Sequence, residues 1–234
     1  AITANRPDGM SIIGIAREIS ALLKTKLKLP MVKEISDINL LNTKSISSEV
    51  IDNDSIYSIS FIENVDGSVL SPKWLKERIQ RSDFKSINLI VDITNYILLE
   101  QGQPLHAFDK DKLSKLIGRE VLPSDFSVCR ARNQEVFIGL DGKSYTLNPN
   151  VTVITCDNKT VAIAGVIGGL ETSVSESTKS ICLEAAVFNP SIIRVSSKNI
   201  GLRTESSSRY EKGISYKSTL FTVSRTIGLL EDFY

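Results

Sequence analysis

Residues 151–169 read VTVITCDNKTVAIAGVIGG, and this stretch decides the fold class. Two short runs rich in Val, Ile and Thr flank Asp157–Asn158, a pattern that is typical of a β-hairpin. Three glycines follow in AGVIGG (164–169), where they favour positive φ or a close approach of another segment. The segment lacks the GxGxxG spacing and the GK[ST] ending of phosphate-binding loops. It therefore predicts backbone that lines a pocket rather than a phosphate site.

Further β elements lie on both sides of this hairpin. Asp141–Gly142 predicts a second hairpin between EVFIGL (135–140) and KSYTL (143–147). In SIYSISF (55–61) apolar residues alternate with serines, which predicts a half-buried strand with Tyr57 on its inner side. KSICLEAA (179–186) is predicted as another strand.

Helices are predicted at both ends of the chain and between the strands. Apolar spacing and capping residues indicate four of them: 11–24 with Ser11 as cap, one opening at Ser71–Pro72, one from Asn189–Pro190 to Gly201, and 216–230. Residues 88–109 predict a strand that enters a short helix ending at Gly102, followed by a loop that carries His106. Residues 34–55 are acidic and polar, and predict a loop or weak strands. The sum is an α+β fold with helices at both ends and a β-rich middle.

Composition narrows the functional classes. The chain has 234 residues, enough for one large or two small domains, and Lys+Arg 28 against Asp+Glu 27 gives a net charge of +1. The net charge of the whole chain therefore does not favour binding to nucleic acid or to an anionic membrane, although a local basic patch could still bind either. No apolar run is long enough for a bilayer, and no signal peptide is visible. Three separated cysteines predict a reducing compartment, and the start at Ala1 predicts a piece of a longer protein.

Three features carry candidate chemistry. His106 is the only histidine, so it is either a structural residue or the one group that titrates near neutrality. Glu184 lies among apolar residues, and it is either paired with a cation or functional, because burying a bare carboxylate is costly. Residues 190–217 hold six basic residues against two acids, which is either a solvated face or a contact for phosphates. No serine triad and no metal-ligand spacing is supported.

Four strings occur in order: VDITNYILLEQGQPLHAFD, AIAGVIGG, LEAAVFNPSIIR and GLRTESSSRYEKG. Together with ANRPDGMSIIGIAREISALL near the start, they resemble the editing region of the bacterial phenylalanyl-tRNA synthetase beta subunit. The resemblance implies a layered α+β unit containing a β-sandwich of unusual topology. It implies a helical lead-in segment (1–33), a tRNA-editing domain (34–215) and a C-terminal helix (216–234) that leads towards the next domain.

The activity implied by the resemblance is hydrolysis of misacylated tyrosyl-tRNA(Phe). The parent enzyme of such a region is a cytoplasmic heterotetramer of two alpha and two beta subunits that uses ATP and magnesium to attach phenylalanine to its tRNA. This chain has none of the ATP-site motifs, so we expect no cofactor of its own and no aminoacylation. The implied partners are tRNA(Phe) and the alpha subunit, with no membrane.

The resemblance also implies site residues. Thr94 and Asn95 match editing-pocket positions, and His106 matches the histidine near the scissile ester; all three are predicted to be catalytic. Gly168, Glu184 and Thr204 match pocket positions, with Glu184 as the reader of the tyrosine hydroxyl. Ser206 stands where the family usually has a pocket alanine and is thus a predicted substrate-binding position. Its hydroxyl either bonds to neighbouring backbone, which we expect, or joins the recognition of the substrate. An alternative remains open, in which the region has lost hydrolysis and serves as a tRNA-binding or subunit-scaffolding module.

Overall fold

The computed structural model describes residues 2–3, 5–32 and 56–234. The predicted loop or weak strands of 34–55 therefore lie outside the described residues. The helices are α1 (Ile12–Leu23), α2 (Lys73–Gln80), α3 (Leu89–Gln101), α4 (Lys110–Ile117), α5 (Pro190–Ile200), α6 (Glu205–Tyr210) and α7 (Tyr216–Glu231). The strands are β1 (Ile56–Ile62), β2 (Leu105–Asp109), β3 (Phe126–Arg130), β4 (Glu135–Ile138), β5 (Ser144–Leu147), β6 (Thr152–Cys156), β7 (Lys159–Ile163), β8 (Ile167–Gly168) and β9 (Ile181–Val187).

The described strands form three antiparallel sheets. A three-stranded sheet has the order β1-β9-β2, a four-stranded sheet has the order β3-β6-β7-β8, and β4 pairs with β5. Both predicted hairpins are confirmed, because β6 and β7 flank Asp157–Asn158, and β4 and β5 flank Asp141–Gly142. The Asp157 and Asn158 backbones have positive φ, which Asn and Asp tolerate better than most residues.

The three-stranded sheet is the middle layer of the molecule. One face contributes Tyr57, Ile59, Phe108 and Cys182 to an apolar core shared with the four-stranded sheet. The other face contributes Ala107 and Ile181 to a second core, shared with α2, α3 and α7. Side chains alternate between the two faces of a strand, so β9, which is buried along its whole length, supplies both cores. The predicted layered α+β fold is confirmed.

Residues 88–109 depart from their prediction in two ways. The strand predicted at their start is wrong, because α3 runs without interruption from Leu89 to Gln101. The side chain of Asn88 caps α3 by accepting from the Val91 amide at 3.0 Å. Most of the helix is buried, so it shows no polar stripe that would reveal the helical period. His106 lies on β2, paired with β9, and not on a loop.

The ends of α1 and α5 follow their predicted signals, whereas α2 begins at Lys73 with Pro72 as its N-cap. Ser11 caps α1 by accepting from the Gly14 amide, and Asn189 caps α5, which ends at Gly201 in the left-handed conformation. In the part of the chain that the structure describes, no helix is both long and apolar enough to cross a membrane.

Candidate functional site

A cavity of about 180 Å³ lies between the three-stranded sheet, the segment from β7 to β8, and α6. Four of the predicted site residues meet there: His106, Gly168, Glu184 and Ser206. The remaining wall consists of apolar side chains and of the glycine-containing turn, namely Pro104, Leu105, Leu140, Ile154, Ala162, Ile163, Gly165, Val166, Ile167 and Tyr210. The prediction that AGVIGG lines a pocket with backbone is thus confirmed for this cavity.

Glu184 is the most unusual group in the wall. It lies at the centre of β9, directly opposite Ile59 of β1 on one side and His106 of β2 on the other. Its side chain is 5% exposed, and its Oε2 atom has no hydrogen-bond partner. Burial raises the pKa of this carboxyl to about 8. Among the described residues no Lys or Arg forms an ion pair with it, so the structural alternative of a cation partner is not realised there.

His106 faces Glu184 across the β2–β9 pair. Its ring packs edge-on against Phe108, with 4.4 Å between ring centroids, and its buried Nε2 atom has no partner. Burial lowers the pKa of the imidazole to about 4. The imidazole is therefore neutral at physiological pH, with one nitrogen protonated and the other able to accept.

Gly168 is required by the position of this imidazole. A Cβ atom added to Gly168 would lie 2.3 Å from His106 Cε1 and 2.5 Å from its Nε2. The ring therefore rests directly on the backbone of β8. Gly165 in the same turn has a φ of +66°, and a Cβ there would lie 2.9 Å from Ile193 and Tyr210. A side chain is thus excluded at Gly168 by sterics, and at Gly165 by both sterics and the positive φ.

Thr204 and Ser206 have different positions at the start of α6. Thr204 is the N-cap: its hydroxyl oxygen accepts from the Ser207 amide at 3.1 Å and donates to the Val166 carbonyl at 2.9 Å. It does not line the cavity but ties α6 to the turn that does. Ser206 lines the cavity, and within the described residues its hydroxyl makes no hydrogen bond, in contrast to the expected bond to backbone.

Thr94 and Asn95 are not brought to this cavity. Both lie on α3, which packs on the opposite face of the three-stranded sheet. The Thr94 hydroxyl donates to the Val91 carbonyl of its own helix at 2.8 Å. Their catalytic role stays a prediction.

Sequence reasoning missed two tyrosines of this region. Tyr210 lines the cavity and donates its hydroxyl to the Ala186 carbonyl at 3.1 Å. Tyr57 is buried on the same sheet face as Glu184, its hydroxyl has no partner, and burial together with the nearby Glu184 raises its pKa. The alternation in SIYSISF places Tyr57 on the inner face, and no sequence signal singles out Tyr210 within the polar run 202–213.

Comparison with known proteins assigns the class. The model of the B3/4 domain matches residues 54–234, and the chain belongs to this family. Over all 234 residues the chain is 64% identical to the phenylalanine–tRNA ligase beta subunit of Prochlorococcus marinus subsp. pastoris (strain CCMP1986 / NIES-2087 / MED4), of which it covers 28%. It is 63% identical to that of Prochlorococcus marinus (strain MIT 9312), of which it covers 29%. The predicted resemblance is confirmed, and the chain spans less than a third of the length of these relatives.

A solved structure is also similar, an N-terminal fragment of the phenylalanyl-tRNA synthetase beta subunit from Pyrococcus horikoshii. The alignment covers 88% of this chain and 60% of that chain, with 17% identity and a TM-score of 0.38. At this level of similarity it supports no detail of the site.

Proposed function

We propose that this chain is an editing domain that hydrolyses the ester of tyrosyl-tRNA(Phe), with the tyrosine side chain in the cavity of His106 and Glu184. The observation that carries the proposal is the buried carboxyl of Glu184, with an unpartnered Oε2 atom, in the wall of a cavity whose other lining residues are mostly apolar. A buried polar group without a partner costs free energy, and a ligand hydroxyl removes that cost. The cavity is smaller than the roughly 300–1,000 Å³ of drug-sized sites, which suits one amino-acid side chain.

Discrimination follows from the same group. Tyrosine supplies a phenolic hydroxyl that can donate to Glu184 or accept from it, whichever protonation state the carboxyl has. Phenylalanine leaves the carboxyl unpaired, at a cost of about 1–3 kcal/mol or more. Sites built around such a hydroxyl reject the analogue that lacks it by roughly 10⁴-fold or more.

His106 suits orientation better than proton abstraction. A general base works best when its pKa lies near the operating pH, whereas the imidazole of His106 has a pKa of about 4. We infer that it holds the attacking water or the terminal ribose by a hydrogen bond. Oxyanion donors stay unassigned, because the amides of Val166 and Gly169 already donate to the carbonyls of Ile163 and Val161.

The wider assignments rest on the relatives. We propose tRNA(Phe) and the alpha subunit as partners, the cytoplasm as location, and ATP and magnesium as requirements of the parent ligase rather than of this chain. The boundaries 1–33, 34–215 and 216–234 belong to the same proposal.

Deacylation of tyrosyl-tRNA(Phe) by the full-length ligase tests this function. We expect Glu184→Ala to lower the rate by about ten- to a hundredfold and to erode the preference for tyrosine over phenylalanine, since the phenolic hydroxyl is then left without a partner at a cost of about 1–3 kcal/mol. Ser206→Ala is the matched control in the same wall, and we expect a change of less than about tenfold, because the Ser206 hydroxyl is only partly buried and makes no hydrogen bond to a described residue.

A second candidate function is a tRNA-binding or subunit-scaffolding module without hydrolysis. Ser206 at a position where the family usually has alanine favours it, since the hydroxyl adds polarity to the cavity. Equal deacylation by the wild type and by Glu184→Ala would support this second function and contradict the first.

A further inference from the structure

A second cavity is larger than the first and shares none of its lining residues. It measures about 410 Å³, within the usual range of small-molecule sites. It is enclosed by the N-terminal segment and α1, by the end of α3, and by the chain from α6 into α7. This cavity has no part in the ester hydrolysis proposed above.

Positive charge dominates its lining. Arg17, Arg209 and Lys217 line it, and Asp8 is the one acidic residue among the lining residues. Asp8 is already neutralised, because Arg6 binds both of its carboxylate oxygens at 3.0 and 2.8 Å. The carbonyl end of α3 at Gly102 adds only partial negative charge.

Arg209 is the buried member of this set. Its side chain is 6% exposed and donates to the Glu205 carboxylate and to the backbone carbonyls of Glu205 and Met10. Its Nε atom is buried without a partner, and Glu205 is 60% exposed to solvent. Water screens the exposed carboxylate, so the buried guanidinium is only partly compensated.

Arg17 and Lys217 are exposed cations at the same cavity. Within the described residues neither forms an ion pair with a carboxylate, and Lys217 only approaches the ring of Tyr216, at 6.0 Å. Both side chains are thus available to a ligand. Arginine in particular offers a planar pair of donors that matches a carboxylate.

The rest of the wall is mixed: it holds the polar side chains of Ser11, Gln101 and Ser215 and several apolar ones, and a simple anion would leave the apolar part uncovered. Ile13, Leu29, Ile214 and Phe221 line the cavity beside the cations. A ligand that covers both parts has one anionic group and an apolar body. Because the cavity is enclosed on several sides, a small molecule fits it better than a nucleic-acid backbone would.

We propose that this second cavity binds a small organic carboxylate, with the carboxylate held by Arg17 and Lys217 in the field of Arg209, and the apolar body against Ile214 and Phe221. Binding there is independent of the ester hydrolysis proposed above.

The test is calorimetric titration of the full-length protein with phenylacetate, and with 2-phenylethanol as the uncharged analogue. We expect phenylacetate to bind at least about tenfold more tightly, a difference of about 1.4 kcal/mol. The double variant Arg17→Gln with Lys217→Gln should abolish this preference, and both side chains are exposed, so the fold tolerates the changes. The double variant Arg194→Gln with Lys198→Gln, on the exposed face of α5, is the matched control and should bind phenylacetate like the wild type.

Several results would overturn the proposal. These are undetectable binding of phenylacetate, equal affinity for the two probes, or unchanged affinity in the Arg17 and Lys217 double variant. If phenylacetate binds in the first cavity instead, Glu184→Gln will change its affinity and the Arg17 and Lys217 double variant will not. That pattern also contradicts the second site, while leaving the proposed function standing.

Discussion

The carboxyl of Glu184 is both a cost to the fold and the chemical basis of the candidate site. Burying it without a partner disfavours its charged form, which is why its pKa rises. The sequence predicted a choice between pairing and function at this residue, and the local string CLEAA contains no information on whether a cation lies nearby. Only the register of β9 between β1 and β2 determines which side chains surround it.

The stability of Glu184→Gln should therefore depend on pH relative to the wild type. The pKa of Glu184 is raised from 4.5 to about 8 on folding. The wild type thus keeps its proton-linked stability below pH 4.5 and loses it as the pH rises towards 8. Glutamine does not ionise, so its stability advantage should grow by several kcal/mol across this window. The ionisation of His106 is common to both proteins and cancels in the comparison.

Urea unfolding of both proteins between pH 4.5 and 8.5 measures this difference. A difference that stays constant across the window would mean that Glu184 is solvated or paired with a cation.

Gly168→Ala tests the contact between β8 and the imidazole. The added methyl group would lie 2.3 Å from His106 Cε1, so the ring must move. We expect a loss of deacylation close to that of His106→Ala, with a secondary structure that is unchanged by circular dichroism. Gly9→Ala is the control, because its nearest neighbours lie at 3.4 Å or beyond and its φ is not positive. Wild-type deacylation by Gly168→Ala would show that the position of His106 is unimportant.

At the scale of elements, the sequence predicts what local chemistry encodes. Turn residues at Asp141–Gly142 and Asp157–Asn158, and caps at Ser11 and Asn189, mark true boundaries. α3 was predicted wrongly at its start, because a helix that is buried on most sides has no polar stripe. β2 was missed because it is short and is defined by its pairing with β9, which lies about 80 residues away in sequence.

For the site too, local sequence predicts single residues, whereas long-range packing decides which of them meet. Motif positions identified His106, Gly168, Glu184 and Ser206, which meet at one cavity. No local pattern shows that α3, with Thr94 and Asn95, lies on the other face of the sheet. That placement is decided by which face of β9 each layer covers, which is a long-range property.

Thr204→Val tests the link between α6 and the turn that lines the cavity. Valine keeps the shape but removes the acceptor for the Ser207 amide and the donor to the Val166 carbonyl. We expect the free energy of unfolding to fall by about 1–2 kcal/mol, the usual cost of a lost N-cap. Thr204→Ser keeps both bonds and should retain most of the stability. Equal denaturant midpoints for wild type and Thr204→Val would show that this cap does not hold α6.

At the scale of the whole molecule, charge is nearly balanced, with a net charge of +1, and the basic residues are local. Two of the six basic residues in 190–217 form ion pairs with the two acids of that segment, so an excess of four basic residues remains. Arg203 forms an ion pair with Glu211, and Arg209 is buried beside Glu205. Arg194 and Lys198 remain on the exposed face of α5, beside the shallow groove that they line with Arg203.

We therefore expect weak, salt-sensitive binding of tRNA by this chain alone. Each phosphate contact releases counterions, so about two to four contacts predict a fall in affinity of about ten- to a hundredfold between roughly 50 and 200 mM salt. Fluorescence anisotropy with labelled tRNA over that range measures the slope. Arg194→Gln with Lys198→Gln should lower both the affinity and the slope, because it removes two exposed cations that form no ion pair with a described residue. Lys143→Gln, whose cation lies 3.9 Å from Asp141, should change neither. Tight binding that is indifferent to salt would show that bases or shape, rather than phosphates, hold the RNA.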